Sequence, residues 1–180
     1  MKKINVIDLD NTLLPYDSFK KFLIYNMSFN HIGIRVFSLV VLRVFRFIDK
    51  KKFKSKITTT FHNKSKHILV DRFVKTLYSD INVEILKKVN SHSDEDTKNI
   101  LVTASLEIYV KGLAQLLGWD YIASHFDSDN NCFIHVYGKE KMVQISKKYP
   151  KEDYYYNYAV SDSDSDNNLL SMFKSSELLN

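Results

Sequence analysis

Cysteine, proline and glycine are scarce in this 180-residue chain, which holds one Cys, two Pro and four Gly. The lone Cys132 excludes an intramolecular disulfide and suits a reducing compartment. With so little Pro and Gly there is no sign of a linker or a repeat. The length supports a three-layer core with a modest insertion but no large second domain. No secretory leader is expected, because the apolar run Ile4-Asn5-Val6-Ile7 is cut short by Asp8 and Asp10. A cytoplasmic protein is therefore expected, either free or at the inner face of a membrane. Lys and Arg exceed Asp and Glu by 26 to 21. Read as a diffuse excess, this favours anionic substrates and gives no case for nucleic acid.

What the chain does have is acids at the ends of apolar runs. Asp8-Leu9-Asp10-Asn11-Thr12 follows directly on Ile4–Ile7. Side chains alternate between the faces of a strand, so two acids spaced by two stay usable together only where the strand ends and the backbone turns into a loop. A second apolar run, Asn99 to Val102, ends in Thr103-Ala104-Ser105 and leads into a helical pattern of Leu106, Val110, Leu113 and Leu117 that stops at Gly118. Such a strand-to-helix turn aims free N–H groups at an anion above Thr103, although Thr103 could equally serve only as a helix cap. Gly138-Lys139-Glu140-Lys141 opens an amphipathic stretch through Met142, Val143 and Ile145. Tyr158-Ala159-Val160-Ser161 then runs into Asp162, Asp164 and Asp166.

Taken in order, these four elements resemble the haloacid dehalogenase (HAD) superfamily, and in finer detail its subfamily IB hydrolases related to phosphoserine phosphatase. Asp8 and Asp10 match the DxDxT motif, Thr103 the hydroxyl of the second motif, Lys141 the lysine of the third, and Asp162 and Asp166 the acids of the fourth. The chain departs from the family where Asn11 and Ser161 stand in place of common glycines. Asn tolerates positive φ, so Asn11 is expected to make the turn a glycine would make.

The resemblance implies an α/β, doubly wound, Rossmann-like core with a parallel sheet, formed by residues 1–14 and 93–180, with a helical cap inserted over about residues 15–92. It implies Mg²⁺-dependent hydrolysis of a small phosphorylated substrate, a metabolite or a lipid head-group phosphate. Asp8 would be the nucleophile and Asp10 the acid and base. Thr103, Lys141 and the backbone at Leu9 and Ala104 would hold the phosphoryl oxygens. Asp8, Asp162 and the Asp10 carbonyl would hold the metal, and Asp166 would support Lys141 or metal-bound water. A phosphotransferase or phosphomutase using the same intermediate, and a non-catalytic HAD-like binding protein, are the alternatives. Asp17 is expected either to read the substrate or to cap a helix.

Residues 32–52 are unusual. Ile32 to Ile48 is rich in Val, Leu and Phe yet contains Arg35, Arg43 and Arg46, and is followed by Lys50-Lys51-Lys52. Three arginines argue against a membrane span. The segment reads either as a core helix of the cap with a wetted basic stripe or as a surface that touches an anionic membrane. Residues 126–137 read as a hairpin, and the tail from Lys174 is expected to fray.

Overall fold

A computed structural model of the chain describes residues 1–27, 31–61, 67–127, 129–130 and 132–179. Six strands form one sheet in the order β4-β3-β2-β1-β5-β6. They are β1 (Lys2–Ile7), β2 (Thr97–Leu106), β3 (Asp120–Asp127), β4 (Cys132–Ile134), β5 (Tyr154–Ser161) and β6 (Ser175–Leu178). All neighbours are parallel except β3 and β4, the antiparallel hairpin expected over 126–137. β1 lies between β2 and β5, so its carboxyl end opens at the middle of the sheet, where open α/β sheets bind ligands.

Alternation along the strands builds two cores. Ile4, Val6, Ile100, Val102 and Ala159 face α7 (Lys139–Lys148) and α8 (Asn167–Leu170), where they meet Ile145, Leu169 and Leu170. Ile7, Leu101, Tyr158 and Val160 face the other way, towards α6 (Glu107–Leu117) with its buried Tyr109, Val110 and Leu113. Helices therefore cover both faces, as an almost wholly parallel sheet demands. Asn5 is the exception inside β1. It is fully buried, donates to Asn99 Oδ1 at 2.9 Å and accepts from Asn157 Nδ2 at 2.9 Å, a side-chain ladder across three parallel strands that leaves no polar group unmet.

Five helices lie between β1 and β2 in sequence: α1 (Ser18–Asn26), α2 (His31–Val44), α3 (Lys50–Phe61), α4 (His67–Ser79) and α5 (Val83–Ser91). An aromatic knot ties the insertion to the core. The Phe22 ring lies 4.8 Å from Phe61, 5.1 Å from Phe73 and 5.1 Å from Tyr109, joining α1, α3 and α4 to α6. Gly112 of α6 sits so close to α4 that an added Cβ would lie 3.1 Å from Val74 Cγ2. Gly118 ends α6 in the left-handed conformation at φ 69°, and Trp119 N–H returns to Ala114 O at 2.9 Å.

Residues 175–178 of the tail pair rather than fray. Ser175–Leu178 pairs in parallel with β5 as an edge strand, in register from Tyr158↔Ser175 to Ser161↔Leu178. Backbone hydrogen bonding holds it, which side-chain polarity did not foretell. α2 also ends sooner than the apolar run suggested. Arg46 takes φ 61°, and Phe47 N–H donates to Leu42 O at 2.9 Å, closing the helix before Ile48.

Candidate active site

The first acid loop follows from β1 continuing its pairing by one residue. Asp8 N–H donates to Val160 O at 3.0 Å, and the chain then curls so that Leu14 N–H reaches Leu9 O at 2.9 Å. Asn11 accommodates the curl at φ 55°, as its side chain allows. Asp8 is buried and Asp10 partly so, and both face one pocket at the carboxyl end of the sheet. Asp10 is fixed by two donors, Ser105 Oγ at 2.6 Å and Ser18 N–H at 2.7 Å.

Thr103 lies in a β-bulge, for the β2–β3 register shifts between Thr103 and Leu106. Bulges commonly re-aim side chains beside active sites. Its buried hydroxyl accepts from Ser105 N–H at 3.0 Å and lines the pocket, while Leu106 occupies the cap position of α6. Thr103 is therefore not the helix cap.

Gly138 starts α7 at φ 55°, ψ −121°, a backbone that a side chain strongly disfavours, and one turn later Lys141 enters the pocket. Its Nζ donates to Asp8 Oδ1 at 2.6 Å and to Asp166 Oδ2 at 2.5 Å, all three side chains being buried. Burial would lower the Lys141 pKa, but the facing Asp8 and Asp166 carboxylates outweigh it and raise it. Burial pushes Asp8 up to about 7 against the pull of Lys141, with Asp10 and Asp166 adding repulsion. Ser161 adds a bond that the glycine common in the family could not supply, for its Oγ donates to Asp166 Oδ2 at 2.7 Å.

Asp162 is partly exposed at the pocket and accepts from Thr12 Oγ1 at 3.4 Å. Asp166 Oδ1 is buried with no hydrogen-bond partner among the described residues. Among the described residues no group of three or more His, Cys, Asp or Glu side chains is gathered closely enough to hold a metal ion, so any cation would rest on Asp8 and Asp162, which line the pocket, and on backbone oxygen. Two carboxylates with a backbone carbonyl are hard oxygen donors of the kind Mg²⁺ accepts. Ala104 lines the pocket, whereas Leu9 turns its side chain into the core, so only its backbone could serve a ligand. Asp17 caps α1 by accepting Lys20 N–H at 2.9 Å and also lines the pocket.

Sequence reading missed the contribution of α3. Lys54 is buried, and its Nζ donates to Ala104 O at 2.5 Å. Burial, with Lys50 one turn away, lowers its pKa to about 8. Lys50 lines the same pocket with its Nζ 5.6 Å from the centre of the Tyr137 ring. The i, i+4 spacing of Lys50 and Lys54 was the available signal, since it places both on one helix face. Ser124 Oγ shares the Ala104 carbonyl at 2.8 Å and bonds His135 Nδ1 at 3.1 Å. Burial and the neighbouring Lys54, Lys50 and Lys51 lower the His135 pKa to about 4, so the ring is neutral and this corner draws its charge from lysine.

This arrangement of acids, hydroxyls and the buried Lys141 at the carboxyl end of the sheet is joined by a match of residues 6–171 to the haloacid dehalogenase-like hydrolase family model. The chain belongs to that family. Among curated proteins none matches this sequence. A protein of unknown function from Bordetella pertussis Tohama I is similar in fold, with a TM-score of 0.75 at 17% identity over 98% of this chain and 89% of its own. Cytosolic 5'-nucleotidase IIIB bound to cytidine aligns with a TM-score of 0.63 at 10% identity over 98% of this chain and 72% of its own. A probable phosphoserine phosphatase from Vibrio cholerae aligns with a TM-score of 0.52 at 11% identity, covering 97% of this chain and 55% of that one. In this haloacid dehalogenase-like hydrolase, no described helix is long and apolar enough to cross a membrane.

Proposed function

We propose that this hydrolase is a Mg²⁺-dependent phosphatase that cleaves a phosphomonoester through an aspartyl-phosphate on Asp8. The observation that carries the reading is the buried Asp8–Lys141–Asp166 array beside Asp10, Asp162 and Thr103 in one pocket. Lys141 orients the Asp8 carboxylate and offsets part of the phosphate's charge. An Asp8 oxygen attacks phosphorus while the bond to the leaving oxygen breaks, and Asp10, held by Ser105 and Ser18, gives that oxygen a proton. Asp10 then takes a proton from water, whose oxygen attacks the phosphorus and releases Asp8. Thr103, Lys141 and the amides near Leu9 and Ala104 hold the phosphoryl oxygens as charge shifts onto them. Asp8, Asp162 and the Asp10 carbonyl would hold Mg²⁺, which supplies electrostatic shielding between the two anions. Asp166 positions Lys141.

The helices between β1 and β2 act as a cap over this pocket. Lys54 and Lys50 are cations beyond those the phosphoryl group needs, and they favour a leaving group that carries its own negative charge. Asp17 is occupied as a helix cap and plays a lesser part in choosing the substrate.

The decisive experiment is phosphate release from a panel of phosphomonoesters with Mg²⁺ and with chelator, using Asp8→Asn as the blank. Magnesium-dependent release that the variant loses supports the reading. An active Asp8→Asn protein sinks it. Transfer to an added alcohol in preference to water would identify a phosphotransferase instead.

A further inference from the structure

The charge excess of this protein is not diffuse. Residues 31–52 hold six Lys and Arg against one Asp, a net +5 equal to that of the whole chain, while the remaining residues carry twenty of each sign. The same segment exposes its large apolar side chains. Ile34, Phe37 and Val44 are each more than half exposed, and Phe45 and Phe47 stand at 69% and 74% exposure. Together they leave on the order of 500 Å² of apolar surface, at the upper end for an ordinary soluble monomer.

This pattern differs from a core helix with a wetted basic stripe. Val36 and Leu39 of α2 are buried against the other helices, but Ile34, Phe37 and Val44 lie on the opposite face and turn outward. The left-handed turn at Arg46 then presents Phe45 and Phe47, ring centres 6.5 Å apart, at the tip of the α2–α3 hairpin. Arg35, Arg46, Lys50, Lys51 and Lys52 of the same hairpin are also exposed.

We propose that the α2–α3 hairpin docks on an anionic lipid bilayer, with Phe45 and Phe47 entering the interface and the cations meeting lipid phosphates and carboxylates. Bulky apolar groups interleaved with Lys and Arg match the two phases of that interface. A nucleic acid offers the charge but no apolar phase for five such side chains. Lys50 lines the catalytic pocket and also belongs to this basic group, so docking brings the pocket mouth to the bilayer surface. The docking stands independently of the phosphatase reading.

The test is flotation of the full chain with phosphatidylcholine vesicles containing roughly one-third phosphatidylserine, and with phosphatidylcholine alone, at low and high salt. A Phe45→Ser/Phe47→Ser double variant and a Lys51→Glu/Lys52→Glu double variant are run beside it. None of these side chains lines the pocket, so turnover of a soluble aryl phosphate and the melting curve report separately on the catalytic reading and on folding. The expected result is binding to anionic vesicles at low salt, about tenfold or more weaker on neutral vesicles and weaker by a similar factor in each variant. Folded protein that fails to float with anionic vesicles at low salt overturns the proposal, as does binding that survives Phe45→Ser/Phe47→Ser. A dimer in solution that the same variant dissociates assigns the surface to self-association instead.

Discussion

Lys141 Nζ and Asp8 Oδ1 lie 2.6 Å apart with both side chains buried, so deleting Lys141 strands the Asp8 carboxylate, whereas Lys141 keeps Asp166 when Asp8 is replaced. Breaking such a pair by deleting one partner typically costs about 3–5 kcal/mol. Lys141→Met is therefore expected to be inactive and strongly destabilised at pH 8. It should recover part of that loss near pH 6, where an Asp8 left without its cation takes up a proton. Urea unfolding at the two pH values checks this, and equal destabilisation at both would contradict it.

Asp8 also gives the metal-free protein an unusual pH response. Its folded pKa, raised to about 7, lies above the ordinary value of 3.8. Between those values the folded state holds a proton that the unfolded chain has released. The Asp8 contribution therefore destabilises most above pH 7 and fades as pH falls towards 4, opposite to ordinary acid denaturation. In chelator, the stability difference between wild type and Asp8→Asn should move in favour of wild type as pH drops through that window. A difference that is flat with pH would refute the assignment.

Lys54 is expected to govern leaving-group choice more than turnover. A charge-assisted hydrogen bond contributes about 1.5–3 kcal/mol. Lys54→Met should therefore raise KM roughly tenfold to a hundredfold for phosphomonoesters with an anionic leaving group, with little change for phenyl phosphate. Because the Lys54 pKa is lowered to about 8, wild-type KM for the anionic substrates should climb towards that of the variant as pH rises past 8. Parallel KM measurements on the two substrate types at pH 7 and pH 9 test both statements.

The fold and most of the residues gathered at the candidate site were legible because strand-end acids, a strand-to-helix hydroxyl and a Gly-Lys start are local patterns. Asp8, Asp10, Thr103, Lys141 and Asp162 all line one pocket, and Asp166 joins it through Lys141. Lys54 was not legible, since its burial arises from how α3 packs over the distant bulge at Ala104, fifty residues away. Ser105 and Ser18 were equally hidden, because their hold on Asp10 unites three segments that only tertiary packing brings together. Which of the two readings of residues 32–52 applies was not legible, because a largely apolar helix gives little periodic sign of which side is covered.

The aromatic knot provides the test of how the insertion is held to the core. Phe22 is fully buried and meets Phe61, Phe73 and Tyr109, rings drawn from three other helices. Truncating such a side chain removes its transfer free energy and leaves a cavity that its neighbours cannot all fill, at a cost of about 3–5 kcal/mol. Phe22→Ala should lower the melting temperature by roughly 6–20 °C, since about 1 kcal/mol shifts a domain of this size by roughly 2–4 °C. Phe22→Leu keeps most of the volume and should lose less than half as much. Because Ser18, one helical turn before Phe22, donates its N–H to Asp10, the Ala variant should also lose turnover below its melting range, whereas the Leu variant keeps it. Thermal melts paired with turnover at 20 °C separate the two effects. An Ala variant that melts like wild type would mean that the insertion is anchored elsewhere.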